Sequence, residues 1–119
     1  MCIRDRVLKD QSVYANLEQL GALLEGGITE ASKQSGVGIT VNRVGSMLTA
    51  FFVDSPVTSW DQVAKSDAGL YANFFHGMLK RGIYLAPSQF EATFVSSVHT
   101  ESDIQSTRDT AIEVLKEIA

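Results

Sequence analysis

The sequence predicts an α+β domain of two layers, a short and mostly antiparallel sheet covered by helices on one face. Three features lead there. Apolar residues recur at helical spacing over residues 13–31, 70–79 and 104–118. Two β-rich runs, 39–44 and 47–53, flank Gly45-Ser46, the pattern of a hairpin with a type II′ turn. The expected order is α, β, β, short α, α, β, β, α, with no internal repeat, linker or low-complexity stretch.

Each element has a local reason. Val13, Leu17, Leu20, Leu24, Ile28 and Ala31 form one helical stripe, and Gly36 and Gly38 end it. Gly21, Gly26 and Gly27 each weaken that helix by about 1 kcal/mol relative to alanine, so it needs tertiary packing. The second strand is apolar on both faces, with Met47, Thr49, Phe51 and Val53 on one and Leu48, Ala50 and Phe52 on the other. Such a strand requires cover on each side. Asp54-Ser55-Pro56 makes a turn, and Ser59 with Gln62 fits a capping box opening a short helix near Val63. Ser66-Asp67 opens the next helix with a hydroxyl cap and an acid at the positive dipole end. Lys80-Arg81 and Gly82 close it. Residues 83–85 read as a short strand stopped by Ala86-Pro87, residues 88–92 as a loop, and residues 93–98 as a strand. Thr100 and Asp103 cap the last helix, whose stripe is Ile104, Thr107, Ala111, Val114 or Leu115, and Ile118.

Composition narrows the function classes. The chain has 119 residues, 45% hydrophobic and 20% charged, with a net charge of −4, which fits one folded domain and excludes wholesale disorder. That length is short for a complete cofactor enzyme, which takes roughly 200 residues or more. No basic run exceeds Lys80-Arg81, so nucleic acid and anionic membranes are not expected partners. Cys2 is the sole cysteine, which excludes an intrachain disulfide and a cysteine-based zinc site. No apolar run approaches the roughly 18–20 residues of a membrane span. The first six residues lack the apolar region of a secretory signal, so the expected location is cytoplasmic.

Few residues carry chemistry by spacing alone. His76 lies mid-helix and His99 just before a helix cap, and nothing around them suggests a metal site. Lys9, Lys33, Lys65, Lys80 and Lys116 fall near helix ends or on polar faces, whereas an imine-forming lysine needs a desolvated pocket. There is no nucleophile elbow and no phosphate-binding loop, and Gly36-Val37-Gly38 precedes a strand rather than a helix. Arg43, beside the tight turn, suits a hydrogen bond to backbone or carboxylate, and Asn42 reads as a polar strand residue. Glu91 stands in a loop between Phe90 and Ala92, a setting compatible with a plain surface acid or with a functional carboxylate.

Longer strings are more specific. Val41-Asn42-Arg43-Val44-Gly45-Ser46-Met47 with Phe51-Phe52, and the run 81–92 containing Ala86-Pro87-Ser88-Gln89-Phe90-Glu91-Ala92, resemble the C-terminal domain of the glutamate-1-semialdehyde 2,1-aminomutase family. Ser66-Asp67, Tyr71-Ala72, Phe74-Phe75-His76, Met78-Leu79 and the run 97–101 continue the resemblance, which covers roughly residues 7–119. Leu48 stands where the family often has phenylalanine, a conservative core change. The resemblance implies a homodimeric, fold-type I pyridoxal 5'-phosphate enzyme within the class III aminotransferases. Its substrate is a small molecule, glutamate-1-semialdehyde, whose amino group is shifted to give the tetrapyrrole precursor 5-aminolevulinate. The location would be cytoplasmic, or plastid in a plant or alga. By the same resemblance Glu91 is the catalytic glutamate on the substrate side of the cofactor, and Ser88 and Gln89 are substrate-binding neighbours that shape the loop.

The departures are also informative. The family's imine-forming lysine, its aspartate on the pyridine nitrogen and its phosphate-binding residues belong to an N-terminal large domain that would precede Val7. No cofactor-binding residue is expected in this chain, and alone it is expected to be inactive. Residues 1–6 do not match the family and read as foreign sequence joined to a truncated reading frame. Without the large domain and partner subunit, residues 47–53 and the Phe90 loop should expose apolar surface and favour association. Two other readings stay open: a stand-alone α+β interaction module, and a piece of a sister class III aminotransferase, which the Glu91 loop disfavours.

Overall fold

A computed structural model describes residues 2–119. Met1, the first residue of the expected leader, lies outside the described residues. The elements are α1 (Ile3–Val7), α2 (Gln11–Ser35), β1 (Thr40–Val44), β2 (Met47–Phe51), α3 (Trp60–Val63), α4 (Ala68–Lys80), β3 (Thr93–Phe94) and α5 (Glu101–Ile118). The sheet is antiparallel throughout, in the order β1-β2-β3.

Caps set the helix ends. The Asp10 carboxylate accepts from the Ser12 N–H at the start of α2, and Gly36 ends that helix in the left-handed conformation at φ 77°. Thr100 and Asp103 form the expected reciprocal capping box on α5. At α4 the acid is the cap: Asp67 Oδ1 accepts from the Leu70 N–H, while the Ser66 hydroxyl points elsewhere.

The hairpin follows the sequence closely. Val44 pairs with Met47, leaving Gly45-Ser46 as a two-residue loop. Gly45 has φ 57° and, among the described residues, no non-glycine residue is left-handed, which is the II′ pattern. Gly21 in α2 lets this turn sit against the helix, because a Cβ there would lie 2.3 Å from the Gly45 carbonyl oxygen. Arg43 fastens the same junction: Nη1 donates to Glu18 Oε1 at 3.0 Å and to the Gly45 carbonyl at 2.9 Å, and Nε donates to Glu25 Oε2 at 2.5 Å.

Two apolar clusters make the core. One joins Leu20 and Leu24 of α2 with Leu48, Val95 and Ile104. The other joins Ala31, Val37 and Phe52 with Tyr71, Phe74 and Met78 of α4 and Ala111, Val114 and Leu115 of α5. Both Val114 and Leu115 are fully buried, so the stripe of α5 takes the two positions that the sequence left as alternatives. The helix-facing side of the sheet is therefore covered. The other side exposes a cross-strand row, Val44, Met47 and Phe94, although Phe51 on that side is buried.

Several expectations are corrected. Residues 83–85 form no strand: Ile83 and Leu85 pack against the core cluster and Tyr84 points to solvent, so the alternation is real but no strand lies beside it. The strand expected over 93–98 stops at Phe94. The Val95 N–H still bonds the Ser46 carbonyl, then the Ser96 N–H turns to His99 Nδ1 and the chain leaves the sheet. The Ser59 capping box does not form, because Gln62 Oε1 accepts instead from the N–H and hydroxyl of Thr58. The short α1, all of it exposed, was not anticipated. No helix of the described residues is long and apolar enough to cross a membrane.

Candidate functional site

The loop that carries Glu91 is held from several directions. At its start the Tyr71 hydroxyl of α4 donates to the Ala86 carbonyl. Within it, Ser88 shapes a turn: its hydroxyl accepts from the Phe90 N–H at 3.2 Å, and its carbonyl accepts from the Glu91 N–H at 3.2 Å. Gln89 turns inward and is buried, with its Oε1 3.1 Å from the Ser66 hydroxyl. Phe90 turns outward onto Trp60 of α3, the ring centroids 5.2 Å apart. At its end the Thr49 hydroxyl of β2 lies 3.4 Å from the Glu91 carbonyl oxygen, a long contact.

The Glu91 side chain itself is exposed. Among the described residues, only Asp54, Asp61 and Glu91 are acids whose carboxylates make no hydrogen bond or ion pair within the chain. Of these three, Glu91 alone lines the apolar cavity between sheet and helices, together with Leu24, Leu48, Tyr71, Met78 and Gln89. That cavity measures about 30 Å³, room for a water or two and not for a substrate. The carboxylate is close enough to be felt by Tyr71, whose phenol is pushed above its ordinary value by burial and, secondarily, by the Glu91 charge.

The three expected site residues are thus neighbours with different surroundings. Glu91 faces solvent, the Ser88 hydroxyl serves its own turn, and the Gln89 amide is engaged by Ser66. The sequence did not point to Ser66, Tyr71 or Trp60 as partners of this loop. Ser66 reads locally as a helix cap, and its link to Gln89 spans 23 residues, which no periodicity reveals.

The remaining chemical groups are dispersed. His99 Nδ1 accepts from the Ser96 N–H, and His76 is exposed on α4. Lys9, Lys33, Lys65, Lys80 and Lys116 are all exposed, so none sits in the enclosed pocket that an imine-forming lysine needs. The small apolar cavity beside Glu91 and the exposed lysines do not fit pyridoxal phosphate. Nor do they group three or more metal-ligating side chains.

Comparison with known proteins gives the context that the site lacks. No model of a protein family matches the chain. A glutamate-1-semialdehyde 2,1-aminomutase of Thermus thermophilus is 51% identical over 94 residues, which are 79% of this chain and 22% of that protein. The crystal structure of a glutamate-1-semialdehyde aminomutase from Pseudomonas aeruginosa superposes with TM-score 0.82 at 19% identity, over 92% of this chain and 24% of that one. A transaminase with PLP bound superposes with TM-score 0.76 at 19% identity, over 93% and 24% respectively. At those identities the two structures speak for the fold. The chain spans about a quarter of the length of the curated relatives it matches. By sequence it belongs to the glutamate-1-semialdehyde 2,1-aminomutase family.

Proposed function

We propose that residues 7–119 are the C-terminal small domain of a glutamate-1-semialdehyde 2,1-aminomutase and supply the substrate side of its active site. The reaction is the conversion of glutamate-1-semialdehyde to 5-aminolevulinate, a step toward tetrapyrroles. The reading rests on the 51% identity to a curated aminomutase over 79% of this chain. A large domain outside this chain would hold pyridoxal phosphate, the whole enzyme would be a cytoplasmic homodimer, and this chain alone would be inactive. The cofactor supplies the electron sink for amino transfer.

The part assigned to this chain is selection and orientation. Glu91 is exposed, unengaged and carried on a loop fixed at several points, as a substrate-facing group must be. Related aminotransferases commonly place a carboxylate-binding arginine at that side. A carboxylate there favours an amine at the corresponding end of the substrate, which suits an intramolecular transfer. Ser88 and Gln89 form the turn that presents it, with Ser88 on the substrate side and the buried Gln89 acting through its contact with Ser66.

The test is made in a chimera in which residues 7–119 replace the matching segment of the Thermus thermophilus aminomutase. Glu91→Ala should lower kcat/KM for glutamate-1-semialdehyde by about 10–100-fold, the loss of one charge-assisted contact. Unchanged turnover in a folded, cofactor-loaded variant would sink the assignment of Glu91.

A further inference from the structure

Ser66 and Gln89 are the buried polar residues of the described chain, at 7% and 6% exposure, and they touch each other. A buried amide and hydroxyl contribute little net stability compared with apolar side chains of similar shape, because each must be stripped of water first. The Ser66 hydroxyl lies 2.6 Å from the Val63 carbonyl and 3.1 Å from Gln89 Oε1, so its one proton is shared between two acceptors. Directionality is what such a pair provides that leucine would not. Here it fixes the rotation of the loop immediately before Glu91. A second contact acts from the same stretch of chain, since Trp60 lies against Phe90, the residue between Gln89 and Glu91. The two loop residues are thus clamped in opposite senses, Gln89 inward and Phe90 outward, by the segment running from α3 to the cap of α4. That segment is itself tied to the chain just beyond β2 by the Asp67 N–H, which donates to the Phe52 carbonyl at 3.0 Å.

We propose that Ser66 with Gln89 and Trp60 with Phe90 are positioning residues that fix the aim of the Glu91 carboxylate. This rests on the reading of Glu91 given above, and it assigns these four residues no contact with substrate.

The full chain provides the first test, through the backbone order of the Glu91 amide measured by ¹⁵N relaxation. Ser66→Ala combined with Gln89→Leu should move that amide from the range of rigid backbone toward that of a flexible loop, with the amides of α5 unchanged. Ser66→Thr, which keeps the hydroxyl, should preserve the order. Trp60→Ala is at an exposed site and spares the core, so it gives an independent arm expected to loosen the same amide. Trp60 is also the only tryptophan, so acrylamide quenching should rise in Phe90→Ala if the ring contact exists in solution. An unchanged Glu91 amide in both the double variant and Trp60→Ala would overturn the proposal.

The chimera separates this from the Glu91 reading. Ser66→Ala should lower kcat/KM by about ten-fold and Ser66→Thr should restore it. If Glu91→Gln is impaired while Ser66→Ala matches the parent, the positioning role fails and the Glu91 reading stands. If Glu91→Gln is fully active, the Glu91 reading fails, and the relaxation data alone decide whether the clamp exists.

Discussion

Gly21→Ala and Gly26→Ala should change stability in opposite directions, although both glycines lie inside α2. Each substitution gains about 1 kcal/mol of helix propensity. At Gly26 a Cβ meets nothing within 4 Å, so the gain is kept and the chain becomes more stable by about 0.5–1 kcal/mol. At Gly21 the new Cβ would lie 2.3 Å from the Gly45 carbonyl oxygen and 3.3 Å from its carbon. Both are backbone atoms of a tight turn held to α2 by Arg43, so the hairpin must retreat as a body. Because the atoms met are backbone, the overpacking cost falls in the upper part of the range, about 2–3 kcal/mol, which exceeds the propensity gain and leaves Gly21→Ala destabilised by about 1–2 kcal/mol. Urea unfolding followed by far-UV circular dichroism measures the difference. With a slope of about 1–3 kcal/mol/M, the midpoints should separate by about 1 M, Gly26→Ala above the parent and Gly21→Ala below it. Equal midpoints, or Gly21→Ala the more stable, would refute the close approach of the turn to α2.

Other outcomes follow from the same structure. Met78→Ala empties a fully buried position between α4 and α5 and should cost about 2–5 kcal/mol in the same assay. Tyr71, whose phenol is raised above its usual 10.0, contributes stability that is complete below pH 10 and is lost as pH rises through the folded-state value. The stability gap between the parent and Tyr71→Phe should therefore shrink above pH 10, and a gap that stays constant to higher pH would contradict the burial of that hydroxyl. Asp103, held below 3.8 by the Thr100 backbone N–H and then by the Thr100 side chain, contributes stability above that pH which vanishes as acid protonates it. Asp103→Asn should accordingly unfold more easily than the parent at neutral pH and match it more closely in strong acid. The exposed row Val44, Met47 and Phe94 predicts concentration-dependent association in sedimentation velocity, reduced by Phe94→Ser.

Most of the fold was legible because its elements carry redundant local signals. The stripe of α2, the acid and hydroxyl caps of α4 and α5, and the Gly45-Ser46 turn each follow from a few adjacent residues. What misled was alternation without a partner. Ile83, Tyr84 and Leu85 point in and out as a strand would, yet only hydrogen bonding to a neighbour makes a strand, and periodicity does not reveal neighbours. The shortened β3 has a similar origin, since Val95 is buried but Ser96 and His99 capture the chain in a turn. The candidate site was legible in one residue and opaque in its support. Glu91 stood out by its flanks and by resemblance, whereas Ser66, Trp60 and Tyr71 meet its loop only through tertiary packing.

Residues 7–119 are proposed to be a working quarter of an aminomutase. The most direct measurement is the rate at which the Thermus thermophilus chimera carrying residues 7–119 forms 5-aminolevulinate from glutamate-1-semialdehyde. Turnover within about ten-fold of the parent enzyme is expected, since the proposed substrate-side carboxylate and its loop would be supplied intact. A chimera that folds and loads pyridoxal phosphate but forms no 5-aminolevulinate would contradict it.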